Sequence, residues 1–226
     1  MRWDVSLSHS DPGDDMTLPR PLRGLYLLTP DEPDTARLCE RVASALVPGV
    51  VLLQYRNKAA GASLRREQAR ALLSLAADRG VPLVVNDDWR LAADLGAAGV
   101  HLGREDEALA TARAALGPTA IIGASCYDRL DLANAARAAG ASYLAFGAMF
   151  ASTTKPGAPS APLTVLGASR GLGLPTVAIG GLRPDNAGLA IAAGADLLAV
   201  LGAVFDAADP AAQVRAFLSS FPPDAP

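Results

Sequence analysis

Short apolar runs alternate with longer stretches of helical period from Gly24 to the C-terminus. The runs are "GLYLLT" (24–29), "VVLLQYR" (50–56), "PLVVND" (82–87), "GVHLG" (99–103), "AIIGAS" (120–125), "SYLAFGAMF" (142–150), "TVAIGG" (176–181) and "LLAVLG" (197–202). Their near-continuous apolarity predicts strands buried on both faces, the signature of a parallel sheet covered by helices. Between them, "SLRREQARALLSLAADRG" (63–80) carries apolar residues at Leu64, Ala71, Leu72, Leu75 and Ala76 and stops at Gly80, as a helix does. "PDNAGLAIAAG" (184–194) repeats that design, with Pro184 near its start and Gly194 after its end.

Eight such strands, spaced at about 25 residues, predict a single-domain α/β fold, a closed (β/α)₈ TIM barrel over residues 21–222. An open doubly wound sheet is the competing architecture, and it predicts a glycine-rich phosphate loop after the first strand. "LLTPDEPDT" has no glycine there, so the barrel is preferred. Residues 1–20 are polar and lack a basic segment followed by an apolar one, so they are expected to be a disordered tail rather than a secretory signal, and 223–226 a short C-terminal tail. The "PGAPSAP" stretch (156–162) is expected to be a loop over the barrel mouth.

Composition narrows the partners. With a formal charge of −3 over 226 residues there is no basic field, so nucleic acid is not expected as a partner. No apolar run reaches the ~18–20 residues that span a bilayer, so no membrane partner is expected and a cytoplasmic location is. The residues leave open whether the chain forms a homo-oligomer. Cys39 and Cys126 stand alone and are expected to be small buried apolar groups.

In such a barrel the active site lies at the C-terminal ends of the strands. The second strand ends in Gln54, Arg56 and Lys58, which strand alternation places on one side as an anion clamp or as a solvated strand end. The third ends in Asn86-Asp87-Asp88, where Asp88 suits the cap of the helix beginning "WRLAADLG". The fourth brings Asp106 to the same rim, and two carboxylates without sulfur or imidazole suit Mg²⁺ shared with substrate phosphates. His101 lies within that strand and is expected to be a satisfied structural imidazole rather than a base. Ser125 ends the fifth strand, and Ser152, Thr154 and Lys155 follow the sixth, suited to a phosphate or to an ordinary polar loop. The glycines Gly180-Gly181 and the Leu201-Gly202 pair end the last two strands, where bare backbone N–H groups often hold a phosphate.

The motifs "LLQYRNK", "VVNDDWRLAADLGAAGVHLGRED", "IIGASCYD", "GASYLAFGAMFASTTKP" and "LPTVAIGGLRPDN", in this order, resemble the thiamine-phosphate synthase family from about Gly24 to Phe217. The resemblance implies a transferase of thiamine biosynthesis. It would join 4-amino-2-methyl-5-hydroxymethylpyrimidine diphosphate to 4-methyl-5-(2-hydroxyethyl)thiazole phosphate with Mg²⁺, releasing pyrophosphate before a pyrimidine carbocation is captured by the thiazole nitrogen. It further implies that Gln54, Tyr55, Arg56, Asn57 and Lys58 hold the pyrimidine substrate beside Asn86. Asp87 and Asp106 would ligate the metal, and Ser125 and Lys155 would contact the diphosphate. Ser152, Thr153 and Thr154, with Gly181, Leu201 and Gly202, would sit on the thiazole phosphate side. Arg56, Lys58, Ser125 and Lys155 are the implied catalytic groups. Arg104, Pro30 and Ala151 depart from the family pattern without removing a matched ligand. A thiazole tautomerase and a non-catalytic binder of thiamine precursors are the alternative functions. Retention of the clamp argues against the tautomerase, which has no diphosphate to hold, and an intact metal site argues against the binder.

Overall fold

The computed structural model describes residues 22–103, 106–151 and 160–222, with residues 106 and 107 described by their backbone alone. The eight expected strands are present as β1 (Gly24–Leu28), β2 (Val50–Tyr55), β3 (Leu83–Asn86), β4 (Gly99–Leu102), β5 (Ile121–Tyr127), β6 (Tyr143–Phe146), β7 (Thr176–Ile179) and β8 (Leu197–Val200). Each pairs in parallel with its sequence neighbours, and β8 returns to β1, which closes the barrel. The helices are α1 (Thr35–Ala45), α2 (Ala62–Ala77), α3 (Trp89–Leu95), α4 (Asp106–Leu116), α5 (Leu130–Ala138), α6 (Thr164–Ser169), α7 (Pro184–Ala192), α8 (Gly202–Phe205) and α9 (Pro210–Leu218).

Local chemistry sets where helices begin. Asp34, Asp88 and Asp209 each accept a hydrogen bond from a backbone N–H in the first turn of α1, α3 and α9, at 2.8, 2.9 and 2.9 Å. These caps satisfy donors that a helix cannot pair internally. Asp88 is thus the cap expected from the sequence, and Asp87 beside it is left for the rim.

The strand pleat sorts side chains into two layers. Outward residues such as Leu25, Leu27, Leu53, Val85, Phe146 and Leu198 pack beneath the helices in one continuous core. Inward residues Tyr26, Leu52, Val84, Tyr143, Val177 and Leu197 fill the barrel itself. Each fully buried Leu or Val contributes about 1.5–3 kcal/mol of apolar burial. Cys126 is buried as expected, whereas Cys39 on α1 is only half-buried, because its face of the helix lies at the core margin.

Strand six ends earlier than its apolar run. The expectation extends it to Phe150, but regular pairing stops at Phe146. Beyond it, Met149 and Phe150 donate to the carbonyls of Ile179 and Gly180 as the chain bends along the end of β7. Apolarity therefore reports burial here, while the ladder has already broken.

The barrel interior also holds polar atoms, and they are joined. Gln54 Nε2 donates to the Tyr26 hydroxyl. Tyr26 and Tyr143 share a hydroxyl–hydroxyl bond of 2.8 Å. His101 Nδ1 lies 2.9 Å from the Tyr143 hydroxyl, and its Nε2 lies 2.9 Å from Ser125 Oγ. The imidazole stacks on the Tyr143 ring with centroids 5.6 Å apart. Burial pushes the His101 pKa down from 6.5 to about 4, because no water remains to solvate an imidazolium. Burial likewise raises the Tyr26 and Tyr143 hydroxyls above the usual tyrosine range.

At the opposite, N-terminal face, Arg113 of α4 bonds the carbonyls of Gly117, Pro118 and Ala120 ahead of β5 and those of Gly140 and the Ser142 hydroxyl ahead of β6. One planar guanidinium therefore ties two loops together. Lysine has the charge but not the fork. Arg113→Lys is expected to lower unfolding stability by about 2 kcal/mol in urea titration, with the fold retained.

The depressed His101 pKa gives a second expectation. Above pH 6.5 both folded and unfolded states carry a neutral imidazole, and this group contributes no pH dependence. As the pH falls from 6.5 towards about 4, the unfolded chain binds a proton that the folded chain refuses, so stability is lost across that window. The loss totals about 3 kcal/mol at ~1.4 kcal/mol per pH unit. His101→Gln removes this component, so the stability difference between wild type and variant is expected to shrink on acidification. A difference independent of pH between 6.5 and 4 would contradict the buried neutral imidazole.

Candidate active site at the C-terminal mouth

The C-terminal ends of the strands surround a cavity of about 790 Å³. Its floor is made by the last inward side chains, Leu28, Ala145, Ile179 and Ala199. Two of these are alanines, which leaves open space above the packed tyrosines. Arg56, Lys58, Ser125, Gly181, Leu201 and Gly202 stand around the walls.

Arg56 and Lys58 owe their placement to the turn after β1. The Thr29 hydroxyl, itself fully buried, donates to the Arg56 carbonyl at 2.7 Å and accepts from the Arg56 N–H at 2.8 Å. Asp31 Oδ1 accepts from Arg56 Nη1 at 3.0 Å and from the Lys58 N–H at 2.9 Å. One hydroxyl and one carboxylate therefore fix the backbone on which both cations stand.

The alternation expected for strand two holds for its charged residues and excludes their neighbours. Gln54 points inward and is buried beneath the cavity on Tyr26. Tyr55 points outward, its hydroxyl donating to Gln68 of α2 at 3.0 Å. The Asn57 amide nitrogen donates to the Glu32 carbonyl and to Gln68, and its oxygen accepts from the N–H groups of Ala59 and Ala60. The side chains expected at Tyr55 and Asn57 to hold substrate are thus engaged behind the cavity wall, where they brace the loop.

Asn86 and Asp87 end β3 on the same rim, beside the cavity rather than in its lining. Asn86 Nδ2 donates to Asp87 Oδ2 at 2.7 Å, and the Asp87 N–H donates to the His101 carbonyl at 2.8 Å. Asp87 has φ of 60°, a left-handed conformation that aspartate tolerates and most side chains do not. Its carboxylate faces Gly103, just past β4, where an added Cβ would lie 4.0 Å from Asp87 Oδ1. Three residues later Asp106 begins α4; its side chain lies outside the described residues, as do Ser152, Thr153, Thr154, Lys155 and Arg104. Among the described residues no three His, Cys, Asp or Glu side chains converge to hold a metal.

Across the mouth, Gly181 has φ of 66°, and a Cβ on it would meet the Phe150 carbonyl oxygen at 2.3 Å. Only glycine fits, and the wall there is bare backbone. Gly202 begins α8 and lines the cavity with Asp206, whose exposed carboxylate lies 3.9 Å from Arg41. Arg183 and Asp128 complete the charged lining among the described residues.

Sequence inspection overlooks Tyr26, Tyr143, Tyr127, Asp128, Arg183 and Asp206. The two buried tyrosines were findable, because each occupies an inward position with a hydroxyl that must be paired. Asp206 has no such signal, since it reaches the mouth only through the short turn of α8. Tyr127 lines the cavity at the end of β5, where the ladder shifts register and φ is 58°.

Known proteins share both chain and fold. Residues 25–204 match the family model described as thiamine monophosphate synthase. The thiamine-phosphate synthase of Chromobacterium violaceum is 52% identical over 204 residues, covering 90% of this chain and 99% of that one. That of Methylobacillus flagellatus is 52% identical over 201 residues, covering 89% and 96%. Among solved structures, a thiamine phosphate pyrophosphorylase from Pyrococcus furiosus superposes with a TM-score of 0.76 at 32% identity, covering 87% of this chain and 94% of that one. A 3-hexulose-6-phosphate synthase superposes at 0.65 with 19% identity and shares the barrel alone. With the family model matched over most of its length and relatives at half identity across nearly all of it, this chain belongs to the thiamine-phosphate synthase family.

Proposed function

We propose that the mouth of this barrel joins 4-amino-2-methyl-5-hydroxymethylpyrimidine diphosphate to 4-methyl-5-(2-hydroxyethyl)thiazole phosphate, forming thiamine phosphate. The bond between the pyrimidine methylene carbon and its diphosphate oxygen breaks, the bond from that carbon to the thiazole nitrogen forms, and pyrophosphate leaves. The observation that carries this reading is the division of the cavity: Arg56 and Lys58 on one wall, bare backbone at Gly181 and Leu201-Gly202 on another, and Ser125 also lining it. Two phosphorylated substrates need two anion sites, and the walls offer one of each kind: side-chain cations and backbone amides.

The apolar floor supports the rest. Leu28, Ala145, Ile179 and Ala199 give planar heterocycles a surface to lie on while their charged groups face the rim. Departure of the diphosphate leaves a cationic pyrimidine methylene, so the step is helped by whatever stabilises the leaving anion. Arg56 and Lys58 do this by fixed charge at the rim of the cavity. No side chain is required as a nucleophile. Lys155, Ser152, Thr153 and Thr154 fall on the chain after β6 and are assigned to the diphosphate and thiazole phosphate from the family pattern.

Mg²⁺ fits the residues at the end of β3. Asp87 offers a hard carboxylate oxygen, held by Asn86, toward the start of the helix that carries Asp106. Hard carboxylate oxygens without sulfur or imidazole suit Mg²⁺, and Asp87 and Asp106 would hold it together with substrate phosphate. When bound, the ion would supply charge neutralisation for the leaving diphosphate.

Asp87→Asn tests the assignment cleanly. Asparagine accepts the left-handed backbone as readily as aspartate, so the variant is expected to keep its melting temperature. Its kcat for thiamine phosphate formation is expected to fall by about a hundredfold or more. Purified protein given both substrates with and without Mg²⁺, followed by product formation and pyrophosphate release, supplies the assay. Turnover without Mg²⁺, or an Asp87→Asn variant of undiminished rate, would remove the metal from this site. No product from folded wild-type protein would sink the synthase reading itself.

A further inference from the structure

The polar ladder inside the barrel has a direction. An amide NH₂ can only donate, so with Gln54 Nε2 on the Tyr26 hydroxyl, that oxygen accepts. The single Tyr26 proton then goes to the Tyr143 oxygen, 2.8 Å away. The Tyr143 proton in turn goes to His101 Nδ1 at 2.9 Å. With Nδ1 accepting, the neutral imidazole carries its proton on Nε2 and donates it to Ser125 Oγ at 2.9 Å. Ser125 thus receives a hydrogen bond on its oxygen, and its own proton has no acceptor within the ladder.

Ser125 lines the cavity, and every residue behind it is buried. The ladder is also rigid. Tyr26 and Tyr143 meet edge to face with centroids 5.8 Å apart. Tyr143 fills the space opposite Gly123, where an added Cβ would lie 2.0 Å from its Cζ. Packing thus holds the two tyrosine rings in place.

We infer that His101 is a positioning residue, one end of a one-way hydrogen-bond ladder from Gln54 that holds the Ser125 hydroxyl as a donor aimed into the cavity. Such a donor recognises an acceptor oxygen, and a phosphoryl oxygen of the diphosphate is the group of that class that the reaction brings here. A hydroxyl forced to donate strengthens its bond as negative charge grows on the leaving group, so the ladder acts on turnover more than on binding. The inference rests on the synthase reading for its kinetic consequence, but the direction of the ladder does not.

Two measurements test it. The ¹⁵N spectrum of histidine-labelled wild-type protein, with His9→Gln removing the second histidine of the chain, is expected to show His101 as the neutral tautomer protonated on Nε2. Protonation on Nδ1 instead would turn the Ser125 hydroxyl onto Nε2, leave only its lone pairs for the cavity and overturn the inference. This readout holds whether or not the protein makes thiamine phosphate.

The kinetic test is a double-mutant cycle. Tyr143→Phe removes the donor to Nδ1 without touching the cavity, and is expected to lower kcat about tenfold with little change in KM for the pyrimidine diphosphate, the size expected for one hydrogen bond. In a Ser125→Ala background the same change is expected to cost nothing further. Equal losses in the two backgrounds would assign Tyr143 and His101 to packing alone.

Discussion

Closing eight parallel strands on themselves leaves an interior just wide enough for side chains, so a polar atom that points inward must find its partner among the other inward side chains. Gln54, Tyr26, Tyr143 and His101 meet that constraint by bonding one another from β2 through β1 and β6 to β4, and Ser125 on β5 ends the series at the cavity. The barrel is therefore packed below by a connected polar network and hollow above, where Ala145 and Ala199 replace bulk with space. Stability and site share one interior. The same burial that holds His101 neutral keeps its ring from competing as a base with the chemistry at the mouth.

Support for the mouth also comes from outside the barrel. The turn after β1 contributes no side chain from Thr29 or Asp31 to the cavity lining, yet it sets both cations of the clamp. Behind it, the Glu32 carbonyl accepts from Asn57 and Gln68, and the Glu32 carboxylate faces Arg37 and Arg41 at 3.3 and 3.6 Å. The segment that carries Arg56 and Lys58 is thus held by residues one layer away that do not line the cavity. Such layering is how a site on loops attains the precision of one on strands.

Much of this was legible in the chain. The eight apolar runs predicted the barrel because parallel strands are buried on both faces, and "IIGAS" ends in Ser125, which lines the cavity. Strand six was overextended because residues 147–150 are as apolar as a strand although they pair irregularly. Alternation correctly separated Arg56 from its neighbours, but family resemblance alone grouped Tyr55 and Asn57 with the ligands; their hydrogen bonds behind the wall depend on α2, which is distant in sequence. The ladder was half-visible. His101 read as a satisfied imidazole, while its partner Tyr143 lies 42 positions away, and no local pattern pairs them.

Backbone strain sharpens the same division. Among the described residues, Asp87 and Tyr127 are the non-glycine residues with positive φ, and both stand at the C-terminal rim. Conformations of this kind cost about 1–3 kcal/mol each and persist only where surrounding structure over-determines them. Asp87 is held by its N–H on the His101 carbonyl and its carboxylate on Asn86; Tyr127 is held where its carbonyl accepts from Gly147. At the other face Arg113 binds loops by relieving unpaired carbonyls, with no such strain at a non-glycine residue there. The strained residues stand at the end that holds the cavity, and in the proposed reaction a hydroxyl that donates to the leaving diphosphate and a carboxylate that would hold Mg²⁺ must not turn away.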